Sequence, residues 1–402
     1  IQALRNNMSF MEKEIRSYLE KFLPTGEELQ RMVAGAGPDG VHPNRGYVYD
    51  AELGFVHAPS VLSGNGVNGT NTFYDYEEDG ARKLINCTDR PCRVHTYGDS
   101  FTHCDQVNDG ETWQEYLSAH LREPIRNYGV GGYSVYQAYR RMCKVRDAGE
   151  RSEYIILNIF DDDHYRNLVS WHRPHRAGRI GPSMMTRPHL RADVGAKTCV
   201  ERDNPIATAD DLSKLRDLDF VYTEFGQDPL VYLGLATETG DDKSLTHLEK
   251  ACERFGLTVP AGAADDIGAA VEAVFTEAAL FSTQYVVELV ERFCADNGIE
   301  LAFVLSYRPA SIRSMLAGGE RFDQGFVDWL KLRSHSVVDM GESFKTEFEH
   351  STFDLDTFVK RYYVDGGHHT PPGNAFTAWA MMDEVVDWLD PRPLTYESNV
   401  GI

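Results

Sequence analysis

Apolar residues near the start of the chain recur every three to four positions: Leu4, Met8, Met11, Ile15, Leu19 and Phe22, before Pro24 and Gly26 interrupt them. That period predicts helix over residues 1–36 with one face buried. Between residues 37 and 92 the period is lost and Gly, Asn, Asp and Pro become dense. Within that stretch GYVYDAELGFVHAPS and TFYDYEEDGARKLIN have the character of short strands or hairpin pieces, and SGNGVNGTN (residues 63–71) that of a loop.

From residue 93 strand-like and helix-like segments alternate. The pattern predicts strand 93–97, helix 112–121, strand 124–128, helix 135–146 and strand 154–160. After a gap it resumes with a helix at about 268–297, strand 301–306, a helix near 322–332, strand 336–340 and helix 373–389. Continuous apolar strands such as Tyr154 to Phe160 suit burial on both faces, and the alternation predicts a parallel sheet with helices on both sides. The chain therefore divides into an N-terminal helix and strand/loop extension (1–92), a core (93–164 and 284–390) and an insertion (165–283). The insertion is too long for a loop, so it should carry its own elements as a cap or lid.

At 402 residues, 42% hydrophobic and 25% charged, the chain can bury one large core or two modest ones. Its apolar runs are too short to span a membrane. The net charge of −22 argues against nucleic acid or an anionic membrane as partner. Seven scattered cysteines without a CxxC pair read as reduced thiols in a cytoplasmic-type protein, although Cys87 and Cys92 are spaced for a small loop disulfide. The sequence begins at Ile1 with no basic-then-apolar leader, which leaves a removed signal peptide open.

One stretch runs against the acidity. Residues 164–192 hold six Arg and four His with no Asp, Glu or Lys. If this island covers a site, Arg166 with some of Arg173, Arg176 and Arg179 would bind a carboxylate, sulfate or phosphate of a substrate. The alternative is that they pair with acidic surface elsewhere, at a subunit contact for example. His172 and His175 have helical metal-ligand spacing without a clear third ligand.

Candidate chemistry begins where strand 93–97 runs into Gly98-Asp99-Ser100. A strand ending in a tight Gly turn lifts a Ser hydroxyl above the sheet edge, although the tripeptide alone fits an Asp/Ser cap equally well. Near the other end stands Asp365-Gly-Gly-His368-His369-Thr-Pro-Pro-Gly373. An Asp three residues ahead of His368 can hold its Nδ1 and free Nε2 to take the Ser proton. An HH pair alone could equally be a polar loop or part of a metal site. Between them NYGVGGYS (127–134) leaves a strand, and its N–H groups with that of Ser100 can cradle an oxyanion. A plain Gly turn and a dinucleotide loop are the other readings, but the GxGxxG spacing is absent.

In order along the chain, GDSFT, NYGVGGYS, ILNIFDDDH and DGGHHTPPG resemble the four blocks of the SGNH/GDSL hydrolase superfamily. The resemblance covers residues 47–164 and 284–389. It implies an α/β three-layer sandwich with a flavodoxin-like parallel sheet, Ser100 as nucleophile, His368 as base, Asp365 as its orienter and Gly132 in the oxyanion hole. Arg166, Arg173 and His369 are then the candidate substrate-binding residues. The third block departs from the family, with Asp162 where an oxyanion Asn belongs and Phe160 in place of Gly. An ionised Asp162 would repel an oxyanion and a protonated one could donate to it; a substrate cation or a metal is a further partner. The resemblance implies hydrolysis of a small O-acyl ester, such as acetate, on a carbohydrate or a polar, neutral or anionic metabolite, with no metal or organic cofactor required. An O-acyltransferase with the same triad and a non-hydrolytic binding protein are the rival readings. The oligomeric state is not set by the sequence.

Overall fold

Five parallel strands form the central sheet of the computed structural model, which describes residues 9–34, 46–173, 185–239, 242–364 and 367–389. They are β1 (Val94–Tyr97), β2 (Ile125–Asn127), β3 (Tyr154–Phe160), β4 (Glu300–Ser306) and β5 (Ser336–Asp339). Their order across the sheet is β2-β1-β3-β4-β5, that of the flavodoxin-like doubly wound sheet. After their first residue β3 and β4 are buried throughout, as their mostly apolar sequences require.

The helices follow from that order. They are α1 (Trp113–Leu121), α2 (Val135–Asp147), α3 (Ile267–Asn297), α4 (Gln324–Lys331) and α5 (Pro371–Trp388). The step from β1 to β2 runs one way across the sheet, and every later step runs the other way. Right-handed crossovers then put α1 on one face and α2, α3 and α4 on the opposite one. Packing agrees: α1 lies against α5, and α2 against α3. Local signals set the ends. Ser134 and Gln137 form a capping box at the start of α2, Thr370 and Pro371 open α5, and left-handed Gly298 closes α3.

The N-terminal stretch is two helices rather than one. Phe10–Glu20 stops ahead of Pro24, and Thr25 with Glu28 caps a second helix, Gly26–Val33; residues 1–8, 35 and 36 of the expected helix lie outside the described residues. The following pieces form antiparallel pairs, Tyr47–Asp50 with Gly54–His57 and Ser60–Leu62 with Thr72–Tyr74. The insertion carries a hairpin (His189–Asp193 with Thr198–Arg202) and the helices Leu218–Phe225, Pro229–Thr239 and Asp242–Phe255. These pack on helix Phe10–Glu20 and on α3. Because α3 runs unbroken for 31 residues, the expected boundary at 283/284 falls inside one helix.

Helices Pro309–Leu316, Met340–His350 and Leu355–Tyr362 were not among the expected elements. All seven cysteines are free thiols, so Cys87 and Cys92 form no loop disulfide. Among the described residues no helix is long and apolar enough to cross a membrane.

Candidate active site

β1 hands the chain to Gly98, whose φ is +151°. A Cβ there would sit 2.6 Å from the Asn158 carbonyl oxygen on β3 and 2.2 Å from Thr102 Oγ1, so only glycine fits. Asp99 then caps the one-turn helix Ser100–His103: its Oδ1 accepts from the Phe101 N–H at 2.8 Å. Its Oδ2 accepts from Ser100 Oγ at 3.2 Å and from Arg166 Nη1 at 3.0 Å. The turn lies at the C-terminal ends of β1 and β3, where the strand order reverses and doubly wound sheets open their ligand crevice.

The glycine-rich loop after β2 is packed behind this turn. The Val130 N–H donates to the Gly98 carbonyl at 3.1 Å, and Asn127 Nδ2 to that of Thr102 at 2.8 Å. A Cβ on Gly129 would lie 2.2 Å from the His103 nitrogen. Gly132 adopts a left-handed conformation with φ +80°, and its carbonyl accepts from Arg187 Nη1 at 2.9 Å. It is not among the residues lining the cavity above Ser100.

His368 reaches the same cavity from the loop ahead of α5. Ser100 and His368 line a space of about 420 Å³, with Phe160, Tyr363, Arg166 and Arg308 in its wall. The His368 ring lies beside Phe101, centroids 5.3 Å apart. Its Nδ1 is hydrogen-bonded to Gln106 Oε1 at 2.9 Å. Asp365, the expected partner of that nitrogen, lies outside the described residues. His369 does not face the cavity. It is buried against Phe101 and Tyr363, and burial, then His368, pushes it down to about 3. The substrate-binding assignment of His369 is therefore corrected: the ring packs against Phe101, Phe344 and Tyr363 and does not line the cavity.

Each of the three acids after β3 has a basic partner. Asp161 is held by Arg308, Nε to Oδ2 at 3.0 Å, and by Ser311 Oγ at 2.7 Å; burial raises it all the same. Asp162 accepts from Arg308, with Arg166 Nη2 at 3.8 Å, and lines a second cavity of about 330 Å³ across Arg308 from Ser100. Both contacts treat Asp162 as an acceptor, not as the donor an oxyanion would need. Asp163 accepts from the Phe160 N–H at 3.1 Å and from Arg166 Nη1 at 2.6 Å. Burial and then Asp99 hold it well above the carboxylate range.

Arg166 is buried in the cavity wall, where it ties three segments together: it donates to Asp99, to Asp163 and, at 3.1 Å, to the Tyr133 carbonyl. Burial works against its charge, and Asp163, Asp99 and Asp162 more than offset that, so its pKa is raised. Two other arginines of the basic island turn elsewhere. Arg173 pairs with Glu28 at 2.7 Å and donates to the Phe22 carbonyl, which removes it from the site, and Arg191 pairs with Asp228. Arg176, Arg179 and His175 lie outside the described residues. Of the described residues of 165–283, Arg166 alone lines the cavity, so the expected lid role is not seen there. The roof comes instead from helices Pro309–Leu316 and Leu355–Tyr362, which bring Arg308, Arg313 and Lys360.

One group of metal-ligand types converges among the described residues: His57, His103 and Asp105. The two rings stack at 4.3 Å and 24°, and His103 already bonds Asp105 through Nδ1 and Tyr76 through Nε2. An ion in the plane of one stacked ring cannot lie in the plane of the other, so the geometry fits a hydrogen-bonded stack better than shared coordination. No family model matches this chain, and no curated protein matches it.

Arg308, Arg313, Lys360 and Gln106 are the site residues that the sequence reading did not single out. For Lys360 a signal existed. Asp354 is an N-cap residue ahead of Leu355, Phe358, Val359 and Tyr362, an apolar face at helical spacing.

Proposed function

We propose that the protein is a serine esterase of the SGNH type, acting on a small O-acyl ester of a carbohydrate or polar metabolite. The observation that carries this reading is that Ser100 and His368, from opposite ends of the chain, line one cavity at the switch point of the sheet. In this reading the Ser100 hydroxyl turns from Asp99 toward His368 and attacks the ester carbonyl carbon. His368 Nε2 takes the hydroxyl proton and returns it to the leaving alcohol oxygen; water then cleaves the acyl-serine by the same route in reverse. The Ser100 N–H is the proposed oxyanion donor; Gly132, expected beside it, does not line the cavity. Asp162, already an acceptor for Arg308, is left out of that role.

Among the described residues Arg166, Arg308, Arg313 and Lys360 line the cavity and no acidic side chain does, in a chain of net charge −22, which favours an ester carrying an anionic group. Transfer of the acyl group to an acceptor alcohol would use the same residues.

A fluorophosphonate probe should label wild-type protein at Ser100 and leave Ser100→Ala unlabelled. A panel of neutral and anionic acyl esters, with and without acceptor alcohols, then separates hydrolysis from transfer. Folded wild type that takes no label and cleaves no ester would move the reading to a binding protein. One observation favours that rival: the Ser100 hydroxyl donates to Asp99 in this structure.

A further inference from the structure

Gln106 stands three residues past the helical turn that Ser100 opens, in a left-handed backbone conformation with φ +72°. Cys104, two residues earlier, is left-handed as well, with φ +61°. Such conformations cost a non-glycine residue on the order of 1 kcal/mol each and persist where surrounding bonds enforce them. Here the Asp105 N–H returns to the Ser100 carbonyl at 3.0 Å, and the Gln106 N–H donates to Tyr74 Oη at 2.7 Å. The segment after the nucleophile is thus bent back beneath His368.

The side chain of Gln106 is fixed at both ends. Its Nε2 donates to the Asn65 carbonyl at 3.0 Å, which leaves Oε1 as the end that faces His368. That oxygen meets the His368 backbone N–H at 3.3 Å and ring Nδ1 at 2.9 Å. An amide oxygen only accepts, so Nδ1 must carry a proton, and in the neutral ring Nε2 is then the free lone pair.

We infer that Gln106 is a positioning residue that sets the tautomer of His368, orienting the base of the proposed esterase through an amide oxygen. This rests on the esterase reading for its purpose, though not for its geometry. An amide adds no negative charge where Asp105 already stands next in the chain. Burial alone would raise Asp105, which is half-buried, but His103, His368 and His57 around it hold it below the usual carboxylate range.

The test pairs a structural readout with a kinetic one. Two-bond 1H–15N spectra of the full chain, with His368→Gln as the assignment control, should show His368 with its proton on Nδ1. In Gln106→Met the Nε2–H form that free histidine prefers should become the major one. Turnover of the best ester should fall on the order of 10²-fold in Gln106→Met, less than the ~10⁴ seen when a triad base is held in the wrong tautomer. Gln106→Glu, which restores an acceptor, should recover most of that loss. An Nε2–H tautomer in wild type, or a tautomer unchanged in Gln106→Met, would overturn the inference. If Ser100 proves inert to the probe and no ester is cleaved, the esterase reading fails, while the spectra still decide the role of Gln106.

Discussion

Arg308 grips Asp161 at two points, Nε to Oδ2 at 3.0 Å and Nη2 to Oδ1 at 3.2 Å, and its own backbone N–H adds a third bond at 3.2 Å. The pair joins the ends of β3 and β4 at the wall of the proposed site. Asp161 is fully buried and Arg308 about a quarter exposed. Removing one partner of a buried pair costs ~3–5 kcal/mol, and partial exposure of Arg308 puts Arg308→Met toward ~2–3 kcal/mol. Adding Asp161→Asn should return much of that loss, because the fully buried carboxylate is then neutral, while Asp162 keeps Arg166 at 3.8 Å. Denaturant midpoints of the two single variants and the double variant check this; simple additivity would show that the pair contributes little.

The approach of Gly129 to the nucleophile turn makes a second prediction. A methyl group there would have to displace the His103 backbone nitrogen, 2.2 Å away. Gly129→Ala should lose ~1–3 kcal/mol of stability, the usual cost of overpacking, and lose probe labelling of Ser100 with it, because the displaced atoms belong to the turn that presents the hydroxyl. Labelling at the wild-type rate in a folded Gly129→Ala protein would show that the turn tolerates the shift.

The order of elements was legible because it rests on periodicity. Tyr154 to Phe160 is apolar in six of its seven residues, Asn158 excepted, and became β3 with the predicted ends, and α1 to α5 begin within two residues of their expected starts. The placement of Ser100 and His368 in one cavity also followed from motif order, since a doubly wound sheet gathers its strand ends on one edge. What the sequence could not show was the choice of partner among many charges. Arg173 lies close in sequence to Arg166, yet it reaches back to Glu28 while Arg166 turns inward to Asp99 and Asp163. Arg308 and Gln106 are similar cases. Each is an ordinary polar residue in its local pattern, and only the tertiary fold brings it to Asp161 or His368.

Acid should destabilise the protein through its histidines. Burial holds His95 and His164 down to about 4 and His189 and His369 down to about 3. An unfolded histidine titrates near ~6.5, so below that pH the unfolded chain binds protons that the folded chain refuses. Stability is therefore fully present above ~6.5 and is lost as pH falls toward the folded values, at up to ~1.4 kcal/mol per pH unit for each histidine. Asp163, Asp161, Asp109 and Glu115, raised by burial, pull the other way by taking up protons in the folded state, but burial lowers His57 and His103 as well, so six histidines stand against four acids. Denaturant midpoints at pH 7, 6 and 5 should fall steadily. A flat profile would mean that these histidines charge without unfolding.

The cationic rim makes the final prediction, about substrate charge. Arg313 and Lys360 line the cavity from the two roof helices, whereas Arg173 is engaged with Glu28 outside it. A unit charge near a protein surface acts on another at ~4 Å with an energy between ~1 and ~4 kcal/mol, and each 1.4 kcal/mol is a factor of ten. Lys360→Glu and Arg313→Glu should each raise KM for an anionic ester by about tenfold or more, with a change of less than about twofold for its neutral analogue. Arg313 also pairs with the exposed Asp356, so its effect should be the smaller of the two. Arg173→Glu should leave both KM values unchanged. The anionic penalty should shrink as salt is raised through ~0.15 M, because the rim is open to solvent. Equal KM changes for neutral and anionic esters would place the substrate anion elsewhere, and an effect of Arg173→Glu matching that of Lys360→Glu would return the basic island to the site.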